Sequence, residues 1–141
     1  MAAPTSCIFC RIAGGAVPAK FVLQTEGAVA FLDSGPLAEG HLLLVPKTHA
    51  ARLEEMTPDA VAEITRLLPA LARALLQVTG AEGFNVLQNN GAVSGQSVDH
   101  VHFHLIPRRS GDGLGYRWLA GQYPPGRAED LQERYRRALS G

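Results

Sequence analysis

Between Asp99 and Ile106 the chain alternates polar and apolar residues with a period of two: Asp-His-Val-His-Phe-His-Leu-Ile. Alternation of this kind suits a β-strand, whose successive side chains point to opposite faces. We read a strand from Val98 to Ile106, closed by Pro107. On it His100, His102 and His104 share one face, and Val101, Phe103 and Leu105 take the other, toward a helix-covered core. Neighbouring histidines of such a row stand roughly 6–7 Å apart at the usual strand rise, so three imidazoles stand in a line. The chain has only 5 histidines in 141 residues, which makes three at strict alternation hard to assign to chance packing. Two chemistries suit the row. Histidines at i and i+2 of a strand can both bind zinc, and imidazole serves as nucleophile and proton carrier near neutral pH.

The remaining pattern is α+β. Ala19–Leu23 and Ala28–Leu32 read as short strands around a Thr25-Glu26-Gly27 turn, Ser34-Gly35-Pro36 breaks the chain, and His41–Val45 is an apolar strand ended by Pro46. A helix follows: Thr57 can cap it, Pro58 fits its first turn, and Asp59 suits the positive end of its dipole. Val61, Ile64, Leu68, Leu71, Leu75 and Val78 recur at steps of three and four until Gly80 stops the helix, and Pro69 should bend or break it. Phe84–Gln88 is a further strand, turned at Asn89-Asn90-Gly91, and Ala128–Leu139 is a polar helix. Hairpins with few helices predict an antiparallel sheet with its helices to one side.

Gly95-Gln96-Ser97 leads into the histidine strand, preceded by Asn89-Asn90-Gly91 and Ser94. Small residues let backbone approach a ligand closely, and its N–H groups can face an anion. Ser97 adds a hydroxyl. A phosphate between this loop and the histidine row is physically sensible, although an ordinary hairpin loop fits the same residues. Charge narrows the ligand: Lys plus Arg is 13 and Asp plus Glu is 13, without the basic excess that polynucleotide binding by counterion release needs. No run of 18 apolar residues predicts a membrane span. Met1–Cys10 lacks the basic start and apolar stretch of a signal peptide, so we expect a cytoplasmic protein with Cys7 and Cys10 reduced.

The segment resembles the histidine triad (HIT) family, whose signature is His-φ-His-φ-His-φ-φ with φ apolar. His100-Val101-His102-Phe103-His104-Leu105-Ile106 matches it at every position. The approach from Asn89-Asn90-Gly91 to Gly95-Gln96-Ser97-Val98 is similar too, as are Phe31-Leu32-Asp33, the stretch from Gly40 to His49, and Cys7-Ile8-Phe9-Cys10. The chain looks more like the small bacterial Hint-like branch than the dinucleoside hydrolases. The resemblance implies a HIT-like α+β fold: a five-stranded antiparallel sheet with a long helix packed on one side and a short C-terminal helix. It implies one HIT domain over residues 1–141, with an N-terminal arm to residue 18 and a tail from residue 109.

Chemically, it implies a hydrolase or transferase acting at the α-phosphorus of purine nucleoside phosphoramidates or related conjugates. His102 would be the nucleophile, forming a covalent nucleotidyl-histidine, and His104 would donate a hydrogen bond to phosphate. Ser97, Gln96 and Gly95 would lie at the phosphate and leaving group, Asp33 at the ribose hydroxyls and Asn89 at the phosphate end, and His41 would hydrogen-bond within the triad network, with Ser97 and His41 counted in the catalytic set. Taken alone, Asp33 and Asn89 would pass for turn residues and His41 for a core histidine. The resemblance also implies a homodimer with a purine nucleotide substrate such as an AMP conjugate, while the charge balance and the lack of a long apolar run leave neither polynucleotide nor membrane expected as partner.

Cys7 and Cys10 admit three readings: a redox dithiol, two incidental thiols, or half of a tetrahedral zinc site. No strand precedes Cys7 to suit the first. In zinc-bearing relatives two cysteines and two histidines form the site, which implies Cys7, Cys10, His49 and His100 here. Four protein ligands would make the zinc structural, with no metal required for chemistry. Two other functions stay open: a metal-dependent hydrolase in which all three row histidines bind one ion, and a nucleotide-binding adaptor with little turnover. In the tail, Gly113-Leu114-Gly115, Trp118 and Pro124-Pro125 could reach over this chain's site or a partner's, with Trp118 equally a packing anchor.

Overall fold

The computed structural model describes residues 6–115 and 119–141; Trp118 lies outside them. Five strands form one antiparallel sheet: β1 (Phe21–Gln24), β2 (Ala28–Leu32), β3 (Leu42–Pro46), β4 (Gly83–Leu87) and β5 (Phe103–Arg108). Their spatial order is β1-β2-β3-β5-β4, so the histidine strand sits inside the sheet between β3 and β4. β2 and β3 read as unbroken apolar runs because both faces of the sheet are covered. Ala28, Ala30, Leu42 and Leu44 share a core with Ile64, Leu71, Leu75, Val101, Phe103 and Leu105. Val29, Phe31, Leu43 and Val45 face the other way, against Phe9 and Ile12.

The first core lies under α2 (Pro58–Thr65) and α3 (Leu68–Thr79). The helical stretch breaks at the start of α3, as its proline predicts. Pro69, in the first turn of α3, lacks an N–H, and its ring would clash with the carbonyl of Thr65 were the helix continuous. The Thr57 hydroxyl accepts from the Ala60 N–H at the start of α2, and Gly80 takes the left-handed conformation (φ 66°) that closes α3. Val78, placed by periodicity on the apolar row, is 82% exposed.

Two expectations are corrected. Helices do not lie on one side only, because α1 (Ile8–Ala13) packs Phe9 and Ile12 on the opposite face. The histidine strand begins at Phe103, not Val98. β5 pairs with β3 through Leu44↔Phe103, Leu43↔His104 and Leu42↔Leu105. Continuing that register would oppose Val101 to Pro46, which has no N–H to extend the ladder. The approach folds into a turn instead, with the His100 N–H on the Val98 carbonyl and the Val101 N–H on the Ala50 carbonyl. The polar helix α4 (Arg127–Ser140) buries no residue. Tail residues 112–114 are held at the end of β5, where the Arg108 guanidinium donates to the Asp112 carboxylate and the Leu114 carbonyl.

Candidate active site

The three row histidines are held by three different acceptors or neighbours, and the hydrogen-bond chemistry of each fixes its tautomer. A carbonyl can only accept, so the 2.7 Å contact between His102 Nδ1 and the His100 carbonyl makes Nδ1 the donor. In the neutral ring Nε2 then carries the lone pair. Only 4% exposed, His102 is packed edge-on by Phe9, with ring centroids 4.9 Å apart.

The same logic runs through His41. The Leu37 N–H donates to His41 Nδ1 at 3.1 Å, which puts the proton of neutral His41 on Nε2. That nitrogen lies 2.9 Å from His104 Nδ1 and donates to it, leaving neutral His104 its proton on Nε2. His102 and His104 have ring centroids 4.9 Å apart, closer than the spacing expected along an ideal strand, because only His104 is in regular β structure. One bare ring nitrogen and one ring N–H donor therefore stand side by side. Burial, then the neighbouring His102 and His41, push His104 down to about 4 against the pull of Asp33. Burial lowers His41 as well.

These lowered values predict acid lability. Histidines held below their unfolded value of about 6.5 bind fewer protons folded than unfolded. Their stabilisation is present above that value and is lost as pH falls toward 4. The melting temperature should drop between pH 6.5 and 5, and His104→Gln should flatten that slope. An unchanged slope in the variant would contradict the assignment.

His102 and His104 line a cavity of about 840 Å³ together with Asp33 and Ser97. Its apolar wall comes from Phe9 and Ile12 of α1 and from Phe31 and Leu43 of the sheet. Ile8, Phe9 and Ile12 at helical spacing are the only trace of this wall in the sequence. The Asp33 carboxylate accepts from the Gly35 N–H at 2.8 Å and lies 3.6 Å from His41 Nε2, so it is both turn former and cavity residue.

Asn89, Gly95 and Gln96 do not line the cavity. Gln96, expected at the phosphate, is buried: its carbonyl accepts from the Gly91 N–H, and its amide donates to the carbonyls of Ala51 and Val98. It braces the loop that feeds the histidines. Gly95 has φ 106°, and a Cβ there would stand 3.5 Å from the Asn89 amide nitrogen, so Asn89 and Gly95 shape the same loop. Nor do described residues of the tail line this cavity.

His100 faces away from the row. Its Nε2 donates to the Pro46 carbonyl at 2.8 Å, which leaves Nδ1 as the lone-pair nitrogen. Nδ1 lies 3.3 Å from Cys7 Sγ, 3.4 Å from Cys10 Sγ and 3.1 Å from His49 Nδ1, and Cys10 Sγ lies 3.3 Å from His49 Nδ1. All four donor atoms lie within 4.8 Å of one another. A tetrahedron built on Zn–N and Zn–S bonds of about 2.0–2.3 Å has edges of roughly 3.3–3.8 Å, so the four residues fit zinc. Burial, then Cys7, push the Cys10 thiol up to about 11; a dication between the sulfurs would oppose that rise. Both cysteines are free thiols. Because each row histidine is turned to a different partner, no common point for one ion bound by all three exists among the described residues.

A family model for the HIT domain matches residues 15–111. Adenosine 5'-monophosphoramidase hnt1 of Schizosaccharomyces pombe is 41% identical over 129 residues, covering 91% of this chain and 94% of that protein. The crystal structure of a HIT family member from Bacillus subtilis superposes with a TM-score of 0.89 at 36% identity, over 94% of this chain and 96% of that one. A zinc-bound histidine triad family protein from Mycobacterium smegmatis gives 0.74 at 36% identity, over 90% and 88%.

Proposed function

This chain belongs to the histidine triad (HIT) family, and on that premise we propose that it hydrolyses purine nucleoside phosphoramidates or related nucleotide conjugates at the α-phosphorus through His102. The observation that carries the proposal is the His102 Nδ1–His100 carbonyl bond of 2.7 Å, which presents Nε2 as a nucleophile beside the His104 N–H donor. The Schizosaccharomyces pombe relative bears the name of such an enzyme.

In the first step the Nε2 lone pair forms a bond to phosphorus. The phosphorus–nitrogen bond breaks, and the amine departs with the bond's electron pair and with one proton taken from solvent water. Substitution at Nε2 leaves a positive imidazolium, and the His100 carbonyl stabilises it through Nδ1–H. His104 Nε2–H donates to the phosphate oxygens as charge gathers there. In the second step water forms a bond to phosphorus and releases a proton to solvent, while the phosphorus–Nε2 bond breaks and its electron pair returns to the ring, so His102 regains its neutral tautomer and the nucleotide is the product. Two easier displacements replace one difficult one.

The nucleoside would occupy the remainder of the cavity, its base on Phe9, Ile12, Phe31 and Leu43 and its ribose hydroxyls on Asp33. About 840 Å³ is enough for a mononucleotide. Cys7, Cys10, His49 and His100 would hold zinc. When bound, the ion supplies a structural cross-link between α1 and the triad approach, since four protein ligands leave no position for water. The same reading makes the protein a cytoplasmic homodimer. No helix among the described residues is long and apolar enough to cross a membrane.

The functional test is release of AMP from adenosine 5'-phosphoramidate by the purified protein, followed by chromatography. Turnover with the same activity in excess chelator during a short assay supports the reading. No AMP above the protein-free blank overturns it.

A further inference from the structure

Beside the nucleotide cavity lies a second one of about 420 Å³. Ile8, Ser97 and Val98 line both and so form the threshold between them. The first cavity has Asp33, Ser34 and Pro36 among its lining residues, apart from that threshold. With the ribose at Asp33 and the phosphorus at His102, the shared edge at Ser97 gives the remaining group on phosphorus an outlet into the second cavity. In an in-line displacement the leaving group lies opposite the nucleophile, and the space available to it beyond the threshold is the second cavity.

That space has a charge sign. Besides the threshold it is lined by Ser6, Cys7, His49, Ala51 and Asp99. Among the described residues, Asp99 is its only carboxylate, and no lysine or arginine lines it. Among the described residues, no ion pair engages Asp99, whereas nearby Arg52 is paired with Glu54 at 3.0 Å. Asp99 sits at the corner of the turn closed by the His100 N–H on the Val98 carbonyl. Asp99 lines the second cavity and not the one lined by His102 and His104. Zinc held by two thiolates and two neutral imidazoles would bring no net charge to the adjoining wall, so Asp99 decides the sign.

We infer that the second cavity is the leaving-group subsite, and that Asp99 makes it selective for conjugates whose amine arm carries a positive charge. This rests on the nucleotide hydrolase reading and adds to it a substrate class. Asp99 is then a specificity-determining residue that reads the arm released by the reaction, several bonds from phosphorus. A carboxylate in a partly solvated pocket favours a cation by roughly fivefold over a neutral isostere, and less as salt screens it.

The test uses the full chain and three adenosine phosphoramidates whose nitrogen bears the same n-butyl arm, ending in an ammonium, a methyl or a carboxylate. For the wild type, kcat/KM should fall in that order, with an ammonium-to-methyl ratio of roughly five that shrinks as salt rises. Asp99→Asn should bring the ratio close to one, and Asp99→Lys should reverse the order in favour of the carboxylate. A wild-type ratio near one, or the wild-type ratio retained in Asp99→Asn, overturns the inference while leaving the hydrolase reading intact. If neither variant folds, the wild-type salt series decides, and a ratio indifferent to salt overturns it. Failure to hydrolyse any of the three arms or the unsubstituted phosphoramidate overturns both readings together.

Discussion

His102→Asn is expected to lower kcat/KM for adenosine phosphoramidate by a factor on the order of 10⁴ or more, the scale of losing a covalent nucleophile. Asparagine is the sharper test than alanine. Its side-chain amide can still donate to the His100 carbonyl, as Nδ1 does at 2.7 Å, but it offers no lone pair at the position of Nε2. Alanine would also empty the space against which Phe9 packs, 4.9 Å from the ring centre, and so mixes lost packing with lost chemistry. The asparagine variant should melt within a few degrees of the wild type. Acid-labile label from a phosphorus-labelled substrate should appear on the quenched wild type and be absent from the variant. Near wild-type turnover in the variant would remove His102 from its role. A wild type that binds nucleotide but never turns over would favour an adaptor.

The contrast between His102 and Gln96 shows what could be read from residues alone. Alternation placed Val101, Phe103 and Leu105 in one core, and the structure agrees. Alternation also predicted an evenly spaced, in-line row, and that fails before Phe103. Pairing needs a partner with an N–H, and Pro46 on β3 has none, a constraint that arises only once β3 and β5 are neighbours. The turn that results is what lets His100 look toward Cys7 and Cys10 while His102 hangs from the His100 carbonyl. Gln96 had no local signal of burial. Its three backbone partners lie at Gly91, Ala51 and Val98, and one of these is 45 residues away. Likewise α1 carries no usual start signal, because its cap is a cysteine thiol accepting from the Cys10 N–H at 3.4 Å, not one of the usual hydroxyl, amide or carboxylate side chains.

That cysteine cap makes metal removal the second large effect. α1 has six residues, far below the length at which a helix holds itself together in water. It must be held by Phe9 and Ile12 in the sheet core and by Cys7 and Cys10 at its beginning. The same helix supplies the apolar wall of the nucleotide cavity and the ring that abuts His102. Protein purified without chelator should contain about one zinc per chain. Stripping it, or replacing Cys7 and Cys10 with serine, should lower the melting temperature by more than about 10 °C, because binding free energy at a structural site is folding free energy. KM for the nucleotide should rise roughly tenfold or more as the wall loosens, since a buried aromatic contact is worth upward of a kcal/mol. A metal-dependent hydrolase would behave differently, losing kcat at once on chelation while its fold and nucleotide affinity persisted. Well under one zinc per chain, with both thiols reacting freely and the melting temperature indifferent to chelator, would sink the zinc site. α1 would then have to be held by Phe9 and Ile12 alone, and the close approach of Cys7, Cys10, His49 and His100 would be left without a cause.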